Sequence, residues 1–147
     1  MKYKLLLFIT LLCFSSCSKE QNSKEQSETI LDGTWKMVYA ETKENDSIQV
    51  KDLSNTSFIK ILNKSHFAFF NQNETNSKAF YGGAGTYTLK GNNYNETLSY
   101  TSVDVIRHHT FPFTIKIKGD TLIQSGMEEV KSAGIKREII EKYIRIK

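Results

Sequence analysis

From Gly33 onward this chain repeats one local rule: apolar and polar side chains alternate with period two, and Gly, Asn or Asp interrupts the alternation at short intervals. Successive side chains on an extended backbone point to opposite faces, so this pattern specifies half-buried strands and not helices. Trp35, Met37 and Tyr39 share one face of the first segment, against Thr34, Lys36 and Val38 on the other. Phe111, Phe113, Ile115 and Ile117 oppose Thr110, Thr114, Lys116 and Lys118 in the same way, and Tyr94, Leu98 and Tyr100 oppose Asn95, Thr97 and Ser99. The alternation predicts eight strands, over 33–41, 57–63, 66–71, 80–89, 94–101, 110–118, 121–126 and 137–146.

Connections such as Asn63-Lys64-Ser65, Lys90-Gly91-Asn92-Asn93 and Gly119-Asp120 are short and suit hairpins, so the strands should run as an antiparallel meander. Two polar stretches, 41–55 and 127–136, are expected as loops, the first with a short helix as its alternative. Pro112 falls inside a strand pattern and is expected at an edge or bulge. Gly82-Gly83-Ala84-Gly85 lacks the strand-then-helix setting of a phosphate loop and predicts a bend or bulge in a curved strand. One apolar and one wet face per strand means a sheet wrapped around its own core, either closed into an up-and-down barrel or packed as a sandwich.

The first seventeen residues set the compartment. Lys2 and Lys4 precede an apolar run from Leu5 to Leu12, and Phe14-Ser15-Ser16-Cys17 places small residues directly before a thiol. The run is shorter than the roughly 20 residues that span a bilayer. The pattern resembles the lipobox of bacterial lipoproteins, which implies cleavage before Cys17, acylation of its thiol and of the new amino terminus, and permanent attachment to an envelope membrane, with the outer membrane as the expected site. Stable anchoring takes two lipid signals, which such processing supplies. Residues 1–16 are then a signal peptide. Residues 17–29 contain no apolar residue after the cysteine and read as a flexible polar tether. Residues 30–147 are one folded domain.

This processing removes Cys13 and commits Cys17 to lipid, so neither of the two cysteines remains for a disulfide, a thiolate metal site or a nucleophile. Loss of Lys2 and Lys4 lowers the net charge from +4 to +2. No dense basic cluster interleaved with aromatics is present, which argues against nucleic acid as a partner.

Leu31-Asp32-Gly33-Thr34-Trp35 opens the first of the eight strands, and this Gly-x-Trp start resembles that of the lipocalins and the wider calycin superfamily. The resemblance extends to small lipocalin-like lipoproteins of bacterial envelopes through Gly85-Thr86-Tyr87, Tyr94-Asn95-Glu96 and Tyr143-Ile144-Arg145. It implies an all-β fold, an eight-stranded antiparallel up-and-down barrel, with Gly33, Trp35 and Arg145 forming a structural cap in which the cation lies over the indole. It also implies a small hydrophobic or amphipathic ligand, with an envelope protein docked on the barrel-mouth loops as the alternative partner. No helix precedes the last strand, so the match is to the barrel and not to the secreted subfamily.

Seven residues are candidates for the ligand site: Tyr39, Tyr87, Tyr94, Glu96, Tyr100, Phe113 and Tyr143. Glu96 stands out because alternation places it on the inner face beside Tyr94, Leu98 and Tyr100, and a buried carboxylate must be paired, hydrogen-bonded or protonated. Glu41 continues the Trp35 face and is expected at the open end. An eight-stranded barrel is only just wide enough for one small ligand, so filling by its own aromatics is the competing outcome. Adjacent histidines on a strand diverge, which argues against His108, His109 and His66 sharing an ion. No Ser-His-Asp or Cys-His set can be assembled, so a non-enzymatic protein without cofactor is expected.

Overall fold

Strands with one apolar face must bury it, and here they do so by curling until the first strand meets the last. The computed structural model describes residues 30–77 and 79–147; the expected signal peptide, the Cys17 lipidation site and the tether lie outside the described residues. The strands are β1 (Gly33–Glu44), β2 (Ser47–Val50), β3 (Thr56–Leu62), β4 (His66–Asn73), β5 (Tyr81–Lys90), β6 (Asn93–Thr101), β7 (Thr110–Lys118), β8 (Thr121–Val130) and β9 (Ile135–Ile146). Each of β3 to β8 pairs antiparallel with the next strand, β1 pairs with β3, and β9 returns to β1 over nine residue pairs from Thr34↔Ile146 to Lys43↔Glu138. The result is a closed eight-stranded antiparallel up-and-down barrel. Closure leaves no unpaired edge on the wall itself.

Two regions differ from the sequence expectation. The 41–55 stretch is not a plain loop or helix: β1 runs on to Glu44 and turns back through Asn45 and Asp46, with φ of 47° and 61°, into the short, exposed strand β2. Positive φ at both central residues is the turn that matches the twist of a two-residue hairpin, and Asn and Asp tolerate it best after Gly. The 127–136 stretch is mostly strand. β8 extends to Val130, a single 3-10 turn covers Lys131–Ala133, and Gly134 at φ 65° hands the chain to β9. Its polar sequence hides the strand because Glu128, Glu129, Lys131 and Lys136 leave few apolar residues to show the alternation.

Two bulges correct the predicted faces. On β1, Met37 pairs with Tyr143 but Tyr39 pairs with Lys142, so Val38 is an extra residue. Alternation restarts after it: Ala40 turns inward, while Tyr39 turns outward beneath Lys142 Nζ, 4.7 Å from the ring centroid. Glu41 turns outward on the same wall surface and accepts a hydrogen bond from the Tyr39 hydroxyl. On β6, Leu98 pairs with Gly85 and Tyr100 with Ala84, leaving Ser99 extra. Thr101 therefore faces inward and Tyr100 is 72% exposed. The glycine opposite is obligatory, since a Cβ on Gly85 would lie 1.9 Å from the Thr97 carbonyl oxygen. One extra residue inverts every side chain beyond it.

The end where β1 begins is sealed. Trp35 is fully buried and donates its indole N–H to the Leu31 carbonyl at 2.9 Å. The Arg145 guanidinium lies 4.1 Å over the Trp35 ring, and its two terminal nitrogens donate to the carbonyls of Asp32 and Ile30. Gly33 adopts φ 140°, and a Cβ there would sit 2.5 Å from an Arg145 nitrogen. The Gly-x-Trp start is thus a single packing unit: glycine for the backbone angle and the close approach, indole for the plug, arginine for the lid.

Candidate functional site

A cavity of about 350 Å³ occupies the other half of the barrel. Its walls are apolar, with Phe58, Phe69, Leu98, Phe111, Phe113 and Ile139 converging from five strands. Phe58 stacks on Phe69 at 5.4 Å and Phe111 on Phe113 at 6.2 Å, so the rings lie along the wall instead of meeting across the middle. That arrangement leaves the void. Val103 and Ile106, in the connection between β6 and β7, border the mouth.

The floor is polar. Lys60, only 2% exposed, forms an ion pair with Glu96 and donates to Gln124 Oε1 at 2.7 Å. Its ammonium also lies between 5.4 and 5.8 Å from the ring centroids of Phe67, Tyr94 and Tyr143. A buried ammonium costs several kcal/mol to desolvate, and only good geometry with full hydrogen bonding offsets that cost. Carboxylate, amide and three aromatic faces supply it here. Tyr94 braces the acceptor by donating its hydroxyl to Glu96 at 2.7 Å.

Glu141 faces the same void from β9, its carboxylate accepting the Tyr143 hydroxyl at 2.6 Å. Burial raises the pKa of Glu141, and the Lys60 charge and the Tyr143 hydrogen bond only partly oppose it. Burial, with the neighbouring carboxylates behind it, pushes both tyrosine hydroxyls far above their ordinary range. Tyr94 and Tyr143 are therefore fixed as neutral donors. Nearer the mouth Arg137 pairs with Glu128 at 2.6 Å.

The chain matches, over residues 30–147, the family described as "Domain of unknown function (DUF4488)". It belongs to the DUF4488 family. The match coincides with the barrel and begins where the described residues begin. No curated protein and no solved structure matches the chain.

Of the seven predicted ligand residues in this DUF4488 domain, Glu96, Phe113 and Tyr143 border the cavity. Tyr94 acts from behind Glu96. Tyr87 lies deeper, its ring 5.1 Å from Tyr94 and its hydroxyl donating to the Asn63 carbonyl at 2.6 Å. Tyr39 and Tyr100 are corrections: the two bulges put them on the outer surface. Glu41, expected at the open end, is also outside and does not face Glu96 across the interior. His66 begins β4 near the sealed end, whereas His109 precedes β7 at the mouth, packed at 4.5 Å on Phe111. Among the described residues no group of three or more His, Cys, Asp or Glu is placed to hold a metal.

Sequence reasoning missed Lys60, Gln124 and Glu141. The signal was present, since Phe58-x-Lys60-x-Leu62, Leu122-x-Gln124 and Ile139-x-Glu141-x-Tyr143 each put a polar residue on an otherwise apolar face. Three such interruptions on separate strands, read together with Glu96, mark a shared polar layer.

Proposed function

We propose that this chain is a lipid-anchored envelope protein whose barrel binds a small apolar or amphipathic molecule, without a catalytic step. The observation that carries the reading is the 350 Å³ void above a paired Lys60–Glu96 floor. Its size falls at the lower end of ordinary ligand pockets, about 300–1,000 Å³, and it has their usual make-up of apolar walls with few convergent polar groups. The Trp35–Arg145 cap and the closed meander support a lipocalin-like assignment, and Cys17 after an apolar run supports the anchor.

Native mass spectrometry of the chain purified from its own host tests the binder: a co-purifying mass of lipid or metabolite size is the expected result, and an empty chain that also rejects added alkyl probes overturns it. Acyl labelling tests the anchor, with label on the wild type and none on Cys17→Ala. The alternative, an envelope protein docked at the mouth, draws support from the exposed Tyr100, Val103 and Val105. A cross-linked partner lost in Tyr100→Ser, with no small molecule bound, would favour it.

A further inference from the structure

We propose, building on the ligand-binding reading above, that the cavity selects an alkyl or aralkyl amine, held by its ammonium on Glu141, and disfavours an anionic amphiphile such as a fatty acid. The argument is a charge count. Among the described residues, five charged side chains border the void: Lys60, Glu96, Glu128, Arg137 and Glu141. Lys60 pairs with Glu96, and Arg137 pairs through its Nε with Glu128. Arg145 is at the sealed end over Trp35, with its terminal nitrogens on backbone carbonyls. Two cations against three carboxylates leave the lining with one net negative charge, and each cation already has a carboxylate partner.

Glu141 is the carboxylate with no ion-pair partner among the described residues; its one direct partner is the Tyr143 hydroxyl. An enclosed carboxylate that feels Lys60 only at a distance and has no direct ion-pair partner is costly, and a ligand that brings a positive charge reduces that cost. A ligand carboxylate in the same place would add like-charge repulsion to its own desolvation. The apolar rings of Phe58, Phe69, Phe111 and Phe113 then take the hydrocarbon part. Glu141 and Tyr143 lie two apart on β9 and so share one face, which keeps the head-group site rigid.

The test is isothermal titration of the full chain with decylamine, decanol and decanoate, each below its micelle concentration. Decylamine should bind about tenfold tighter than decanol, and decanoate about tenfold weaker, a spread set by one gained or one repelled charge. Glu141→Gln should abolish the preference for the amine, so that decylamine and decanol bind this variant equally, and Glu141→Asp should keep a reduced preference for the amine. If decanol binds and decylamine binds no better, or decanoate binds best, the amine inference fails and the ligand-binding reading survives. If none of the three binds, the cavity reading itself fails. The wild-type series decides between these outcomes even if Glu141→Gln does not fold.

Discussion

Two cations lie against aromatic rings inside this barrel, and they do different work. Arg145 sits over Trp35 at the sealed end and satisfies its terminal nitrogens on the carbonyls of Asp32 and Ile30. Lys60 sits among Phe67, Tyr94 and Tyr143 and depends on a carboxylate and an amide drawn from two other strands. Backbone acceptors are part of the fold and cannot be lost, so the Arg145 end is a plug. Side-chain acceptors beside a void can be rearranged by what enters, so the Lys60 end is the candidate site. The comparison teaches that a cation over a ring is not by itself a functional feature; what satisfies its protons, and what lies on its open side, decide.

The largest effect should come from the plug. Trp35→Ala removes a fully buried indole and should cost about 3–5 kcal/mol in chemical unfolding. At temperatures where the variant remains folded, its affinity for decanol should match the wild type; a lost affinity there would break the division between plug and site. Lys60→Met strands Glu96 in the interior and should cost about 3 kcal/mol, because a broken buried pair leaves an uncompensated charge. Adding Glu96→Gln, which preserves an acceptor for Tyr94, should restore most of that loss. Failure of the double variant to recover would mean the pair contributes more than its charges.

Arg145→Lys keeps the charge but forfeits the planar fork that reaches two carbonyls, and should cost about 1–2 kcal/mol without altering ligand affinity. For Glu141 the direction of the pH effect follows from its raised pKa. The folded state holds this proton more tightly than the unfolded chain does, so its contribution to stability is fully present below the ordinary carboxylate range. That contribution is lost as pH rises through the folded value. Unfolding free energies measured from acidic to neutral pH should show this decline in the wild type, and a shallower one in Glu141→Gln. Tyr100→Ser, on the outer wall, should change stability by no more than about 0.5 kcal/mol and leave decanol affinity untouched. An affinity loss there would return Tyr100 to the site and contradict the bulge at Ser99.

Much of this was readable in advance where the relevant physics is local. The Trp35–Arg145 cap joins the two ends of the domain and is not local; it was expected only because Gly-x-Trp and the terminal Tyr-x-Arg resemble the lipocalin pattern. Phe113 and Glu96 were placed on the inner face by alternation, since neither strand slips between them and the nearest turn. Tyr39 and Tyr100 were misplaced because the slip that turns each outward is a property of a pair of strands. The crowding at Gly85 that accompanies the Ser99 bulge involves β5 as well as β6, and alternation along β6 alone carries no trace of it.

By itself, then, the amino-acid sequence determined the class of the eight wall strands, the order of their hairpins and the composition of each strand's two faces as far as its first bulge, because side-chain direction on a strand repeats every two residues and hairpin turns need only a few permissive residues. Tertiary structure alone decided the closure of β9 on β1, the two bulges, and the meeting of Lys60, Glu96, Gln124 and Glu141 on one floor. Gln124 and Glu141 are cross-strand partners in the β8–β9 hairpin, but Lys60 and Glu96 come from strands far from it in the chain. Only the curvature and register of the closed wall bring them within reach of one another, and only the placement of the rings along that wall leaves a space above them.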